Sequence, residues 1–196
     1  MQKVAQLELT PDCNHSCFYC YNPNDLKSQG KLSDNEWLDI VSSLSGFTQI
    51  ILTGGEPFVR KDLVFEILGS NPNLPLSINS NLSLLNQEDL ERLVKHSPFM
   101  LVSVPSINPE TYKQITGKDN LERTLDNLGY LISNGLRITA NMVVTPGTVS
   151  HVKPLGQKLK ELGLKCLYAT PVEGHISLSR DKTIEVFDTL LDLQDE

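Results

Sequence analysis

The sequence predicts an α/β fold in which parallel strands form an open, incomplete barrel with helices outside it. Three observations carry this prediction. Six short apolar segments are each followed by a segment whose apolar residues have helical spacing. Alternation of that kind implies parallel strands joined by crossover helices. At 196 residues the chain falls short of the roughly 250 of a complete eight-fold barrel, so six strand–helix units fit an open one. A doubly wound sheet is the alternative, and periodicity alone does not separate the two.

Strands are expected over residues 4–9, 49–52, 76–79, 100–104, 138–144 and 165–170, and helices over 34–44, 61–68, 87–95, 121–133, 152–162 and 182–193. Ser33 is placed to cap the first helix, and Glu36 three residues on completes a capping box. Gly46, Gly135 and Gly163 follow helical runs, where a left-handed residue commonly ends a helix. Asn108, Pro109 and Glu110 read as a cap followed by proline at the first helical position. No repeat, low-complexity linker or shift in composition marks a second domain, so residues 1–196 are read as one.

Composition narrows the function classes. Formal net charge is −7, with 24 Asp and Glu against 17 Lys and Arg, and no basic cluster is present. That balance is unfavourable for nucleic acid, whose binding requires basic surface to displace counterions. No apolar run approaches the roughly 18 residues of a membrane span. Residues 1–9 alternate too regularly for a signal peptide, so the expected location is the cytoplasm. Three of four cysteines crowd into residues 13–20, which points to metal ligation rather than a disulfide scaffold. Cys166 stands alone and reads as a buried, inert thiol.

Cys13, Cys17 and Cys20 form a C-x3-C-x2-C loop directly after the first strand. Three thiolates on so short a loop can wrap an iron–sulfur cubane and hold three of its four irons, whereas most such clusters have four cysteine ligands. No fourth cysteine is nearby, so one iron would stay open to a reactive ligand. The competing reading is zinc, with His15 as fourth ligand. Structural zinc sites usually bring separated pairs of ligands, and the second pair is missing here.

After the second strand comes Thr53, Gly54, Gly55, Glu56, Pro57. Paired glycines allow close backbone approach and positive φ, Glu56 offers a carboxylate to a cation, and Pro57 stiffens the exit. Alone this is an ordinary strand-to-helix turn. Ligand sites of parallel α/β folds gather at the carboxyl ends of strands, however, so this turn and the cysteine loop should be neighbours.

In these two motifs the sequence resembles the radical S-adenosylmethionine (SAM) superfamily. The three cysteines match its C-x3-C-x-(aromatic)-C motif, with Tyr19 at the aromatic position, and Gly54, Gly55, Glu56 and Pro57 match the signature that contacts the SAM amino group. The resemblance implies a partial (βα)6 TIM-like barrel over nearly the whole chain, with a [4Fe–4S] cluster and SAM as cofactors. It implies that SAM chelates the open iron and that an electron cleaves its sulfonium bond, yielding a 5′-deoxyadenosyl radical that abstracts hydrogen from a substrate. A flavodoxin or ferredoxin is the implied electron donor. Ser80 and Asn81 after the third strand, Ser103 ending the fourth and Asn141 in the fifth stand where relatives hold the SAM carboxylate and ribose.

The chain also departs from the family pattern. Ser103 is followed by Val104 and Pro105 where many relatives have Ser-x-Asp, and Thr116 and Gly117 replace a common Arg-Gly pair. No cysteine-rich extension follows the last helix, so the chain is expected to be either a minimal enzyme or a part of a longer one. General likeness to peptide-maturing members, notably the stretch Cys20, Tyr21, Asn22, Pro23, suggests a peptide or protein substrate. The alternatives are an enzyme of small-molecule cofactor or nucleoside biosynthesis and a non-catalytic iron–sulfur or zinc protein. Glu8 is expected to face the barrel interior, opposite Leu7 and Leu9. Tyr168, Glu173 and His175 lie near the expected mouth, with core packing or a solvated loop as their simpler roles. His96 and His151 flank helices and read as surface or capping residues. Six strands leave two sheet edges that need covering.

Overall fold

The computed structural model describes residues 2–22, 32–172 and 177–195. Six strands, β1 (Val4–Thr10), β2 (Gln49–Gly54), β3 (Leu76–Ser80), β4 (Phe99–Ser103), β5 (Ile138–Val144) and β6 (Leu167–Pro171), pair in sequence order, all parallel. A doubly wound sheet would reverse its order partway. Here every crossover adds its strand on the same side, and a sheet built so curls into a partial barrel. β1 and β6 are its two edges.

The outer layer contains α1 (Asp34–Ser42), α2 (Lys61–Ser70), α3 (Gln87–His96), α4 (Pro109–Thr116), α5 (Leu121–Ser133), α6 (Val152–Glu161) and α7 (Arg180–Asp195). The Ser33–Glu36 capping box forms as read, and Asn108 accepts from the Thr111 amide ahead of Pro109. That cap opens a helix of its own, α4, which the helical periodicity had not separated out. Gly135 and Gly163 are left-handed, but α1 ends on Ser43 in ordinary helical geometry and Gly46 is not at positive φ. β6 begins at Leu167 rather than 165.

Strand alternation divides the sheet into two unlike faces. Ile50, Leu52, Ile78, Met100, Val102 and Met142 are fully buried beneath the helices. The opposite, concave face carries Gln6, Thr53, Asn79, Ser103 and Asn141. A closed parallel sheet would be apolar on both faces. The polar inner face therefore marks a cleft rather than a packed core.

Candidate cluster and cofactor site

The cysteine loop leaves β1 through an irregularity in its pairing with β2, between Glu8 and Thr10. Bulges of this kind commonly re-aim a chain beside a functional site. The next residues are stitched to the β2 exit: the Gly55 amide donates to Thr10 O at 2.7 Å and the Glu56 amide to Asp12 O at 2.9 Å. A side chain at residue 54 would overlap the Thr10 carbonyl oxygen, and one at 55 the Asp12 carbonyl oxygen. Gly54 also sits at φ +139°. The paired glycines thus serve first to admit the chain's own cysteine loop. The far side of the loop rests on the end of α4, where the Ser16 amide donates to Thr116 O at 2.8 Å and the Phe18 amide to Ile115 O at 3.2 Å. Gly117, at φ +70°, leaves room for the Ser16 hydroxyl.

This anchoring directs Cys13, Cys17 and Cys20 into one cavity of about 490 Å³. Tyr19, Gly54, Gly55, Glu56, Ser80, Asn81, Ser103 and Asn141 line the same cavity, so the structure brings together every site residue expected from sequence except Pro57. Pro57 is buried and instead begins a short 3-10 turn, Pro57–Arg60. The Cys17 thiol is pushed up to about 12, chiefly by burial and then by its neighbours Cys13 and Cys20. Burial also raises the Tyr19 phenol.

Glu56 is 2% exposed, and protein donors surround its carboxylate. Oε1 accepts from Ser80 Oγ at 2.8 Å and the Phe58 amide at 3.1 Å, and Oε2 accepts from the Asn81 amide at 2.8 Å. Burial pushes its pKa up to about 7, against the lowering effect of those three bonds. Glu56 thereby ties the end of β2 to the end of β3. Beside it, Asn14 Nδ2 donates to Ser83 Oγ (2.8 Å), Ser83 Oγ donates to Asn81 Oδ1 (2.6 Å), and Asn81 Nδ2 donates to Asn14 Oδ1 (3.0 Å). This closed ring joins the cysteine loop to the β3 exit. Sequence reading missed Asn14 and Ser83, since neither lies in a position with a distinctive spacing.

Across the cavity, Ser103 and Asn141 are register partners in β4 and β5, and Thr170 Oγ1 donates to Asn141 Oδ1 at 2.9 Å. Thr170 lines the cavity. It too was missed, although polar alternation through β6 would have found it. Tyr168 is 55% exposed and does not line the cavity. Glu173 and His175 lie outside the described residues. Glu8 is exposed, as Leu9 turns into the core, and accepts a hydrogen bond from Tyr21. His96 closes α3, and His151 Nδ1 lies 2.9 Å from Ser106 Oγ.

Zinc, the competing reading, needs ligands that converge on one ion. Among the described residues, no three Cys, His, Asp or Glu side chains converge as one metal ion requires. His15 Nε2 is turned toward the Asn120 amide (3.2 Å) and the Ser83 hydroxyl (3.4 Å), and burial lowers its pKa. Three thiols that line one cavity are a donor set suited to a cubane, which takes one thiolate on each of several irons. The fourth thiol, Cys166, is not in the cavity lining.

A family model, the Radical SAM superfamily, matches residues 7–153. Among curated proteins, a "Probable GTP 3′,8-cyclase" of Methanothermobacter thermautotrophicus is 36% identical over 152 residues, 74% of this chain and 50% of that protein. The protein of that name from Methanocaldococcus jannaschii is 27% identical over 206 residues, 93% and 68% respectively. The chain spans about half the length of the first of these. Among solved structures, anSMEcpe with bound AdoMet and Cp18Cys peptide superposes with a TM-score of 0.79 at 17% identity, covering 98% of this chain and 59% of that one. Streptococcus suis SuiB bound to precursor peptide SuiA gives 0.81 at 15% identity, covering 99% and 47%. At such identity these two show the fold, a TIM-like barrel left open. The cofactors of the family are a [4Fe–4S] cluster and SAM. Because the family match takes in the cysteine loop, the Gly-Gly-Glu-Pro turn and the polar ends of β3 to β5, the chain belongs to the radical SAM superfamily.

Proposed function

We propose that this chain is the catalytic core of a radical SAM enzyme, in which Cys13, Cys17 and Cys20 ligate three irons of a [4Fe–4S] cluster and the rest of the cavity wall holds SAM. The chemistry such a cofactor pair supplies is reductive cleavage of the sulfonium and hydrogen abstraction from a substrate. The observation that carries the reading is convergence: three thiols and Gly54, Gly55 and Glu56, 34 or more residues apart in sequence, line one cavity. The turn offers acceptors beside the cysteines, which suits an ammonium. Ser80 and Asn81 hold Glu56 in place, while Ser103 and Asn141 present a hydroxyl and an amide to the ribose or carboxylate. The polar cleft encloses the reacting atoms on one side and admits substrate from the open end.

Two readings of the substrate have support. The 36% identity to a protein named for a GTP cyclase favours a small molecule. Among the described residues β1 and β6 are the outer strands of an unclosed sheet, and a gap between them would admit a peptide. A flavodoxin or ferredoxin is the proposed electron donor, with access where Cys20 is exposed near Phe18. Ligation by reduced thiols fits a cytoplasmic setting.

The test is anaerobic reconstitution with iron and sulfide, reduction with dithionite, addition of SAM, and assay of 5′-deoxyadenosine. The expected result is a product that disappears, together with the cluster absorbance, in Cys17→Ala. A full cluster spectrum in that variant, or stoichiometric zinc with no cluster in the parent, overturns the assignment.

A further inference from the structure

We propose that Glu8 and Tyr21 form the substrate-anchoring point of this site and that they take an amine or guanidinium group, not a phosphate; the inference rests on the radical SAM reading above. β1 turns Leu7 and Leu9 toward the core, which leaves Gln6 and Glu8 on the concave face. Gln6 and Thr53, the register partner of Glu8 in β2, both line the cavity. Glu8 itself is not in the cavity lining but stands at its rim, between Thr53 and Tyr21, one strand from the Gly-Gly-Glu-Pro turn.

Its surroundings define the ligand. Glu8 accepts one hydrogen bond, from Tyr21 Oη at 3.3 Å, and among the described residues it forms no ion pair. Tyr21 follows Cys20 directly, lines the cavity and is 73% exposed. A carboxylate beside an open aromatic ring is suited to an organic cation, which gains both an ion pair and a contact with the ring face. The described cavity lining contains no Lys or Arg, the side chains that normally clamp phosphate. The amide at the start of the 3-10 turn, another common anion donor, is already bound by Glu56. A polyphosphate would thus meet carboxylate and thiol groups with no described cation to balance it. The site differs in this from what the name of the GTP-cyclase relatives requires of theirs.

Such a cation could come from a small amine or from a lysine side chain in a peptide, and the probes separate the two. Reconstituted, SAM-loaded protein is titrated by saturation-transfer NMR with N-acetyl-lysine methylamide, with a lysine-centred heptapeptide, with the same heptapeptide carrying glutamate, and with GTP. Binding of a lysine probe is expected, weakened about tenfold in Glu8→Gln and by added salt, with the glutamate peptide and GTP bound far more weakly. Tighter binding of the peptide than of the small amide indicates a peptide source; equal binding indicates a small amine. GTP binding as tight as either lysine probe overturns the proposal, as does failure of both lysine probes or indifference to Glu8→Gln. Weaker SAM binding in Glu8→Gln overturns it too, by assigning Glu8 to the cofactor. Failure of the parent protein to assemble a cluster would instead strike the underlying reading.

Discussion

The two halves of the barrel hold their polar residues in different ways. Around β1 to β3 the cysteine loop, the Gly-Gly-Glu-Pro turn and the Asn81–Ser83 turn interlock through buried and half-buried bonds of 2.6–3.1 Å. Around β4 to β6 the inner face is looser: Ser103 is exposed, Tyr168 is 55% exposed, and Asn141 is oriented by a bond from Thr170. The first half is built before any ligand arrives, as expected where a cofactor must be held in fixed geometry. The second half has fewer internal partners and keeps its polar groups available. The contrast teaches that the barrel separates a rigid wall, the one we propose for the cofactor, from a more adaptable one.

The strongest way to break this contrast is to force the interlock apart. Gly54→Ala places a methyl group against the Thr10 carbonyl at a φ that alanine rarely adopts, and neither strand can yield alone. A loss of about 4 kcal/mol is expected in urea unfolding of the apoprotein. Gly117→Ala is the control. Its obstacle is the Ser16 hydroxyl, which can rotate away, so only the left-handed backbone cost of about 1 kcal/mol should remain. Equal losses in the two variants would show that the β1–β2 junction is not the rigid member.

The same contrast explains what could be read from sequence. Gly54 and Gly55 are fixed by a requirement no other residue meets, the close approach of the neighbouring backbone, and the cysteines by the ligation proposed for them. They therefore leave a local, recognisable spacing, and the capping box at Ser33 and Glu36 is legible for a similar reason. The closed ring of Asn14, Asn81 and Ser83 spans 69 residues and uses common polar types, so nothing in its spacing announces it. Thr170 is hidden in the same way, by partnership across strands. Gly46 shows the converse, since a glycine after a helical run need not end the helix when the chain turns earlier, at Ser43. Strand order was beyond periodicity, because parallel strands look alike whether the sheet winds once or twice.

A second effect, roughly 3 kcal/mol, concerns Glu56. Its folded-state pKa of about 7 lies above the ordinary value of 4.5, so the native state binds its proton more tightly than the unfolded chain does. The associated stability is fully present below pH 4.5 and is lost as pH rises to about 7, after which it is constant. Urea unfolding of the apoprotein at pH 5 and pH 7.5 should show the decline, and Glu56→Gln should remove the part that Glu56 causes. The variant also places an amide NH₂ among donors, so its absolute stability falls and the pH slope is the informative quantity. A parent slope identical to that of Glu56→Gln would mean that the three bonds to the carboxylate fully offset its burial, and a slope of opposite sign that they outweigh it.

The smallest expected effect tests the looser half. Thr170 donates to Asn141 Oδ1, which turns the Asn141 NH₂ group toward the remainder of the cavity. Removing that donor in Thr170→Val frees the amide to rotate, so an acceptor on SAM would meet the oxygen part of the time. Thr170 is exposed, and its loss should change stability by no more than about 0.5 kcal/mol. SAM affinity of the reconstituted protein should nevertheless fall about threefold to tenfold, up to roughly 1.4 kcal/mol. Thr170→Ser keeps the hydroxyl and should restore it. A change in stability without a change in affinity would make Asn141 and Thr170 a strut between β5 and β6, and the cofactor wall would then end at β4.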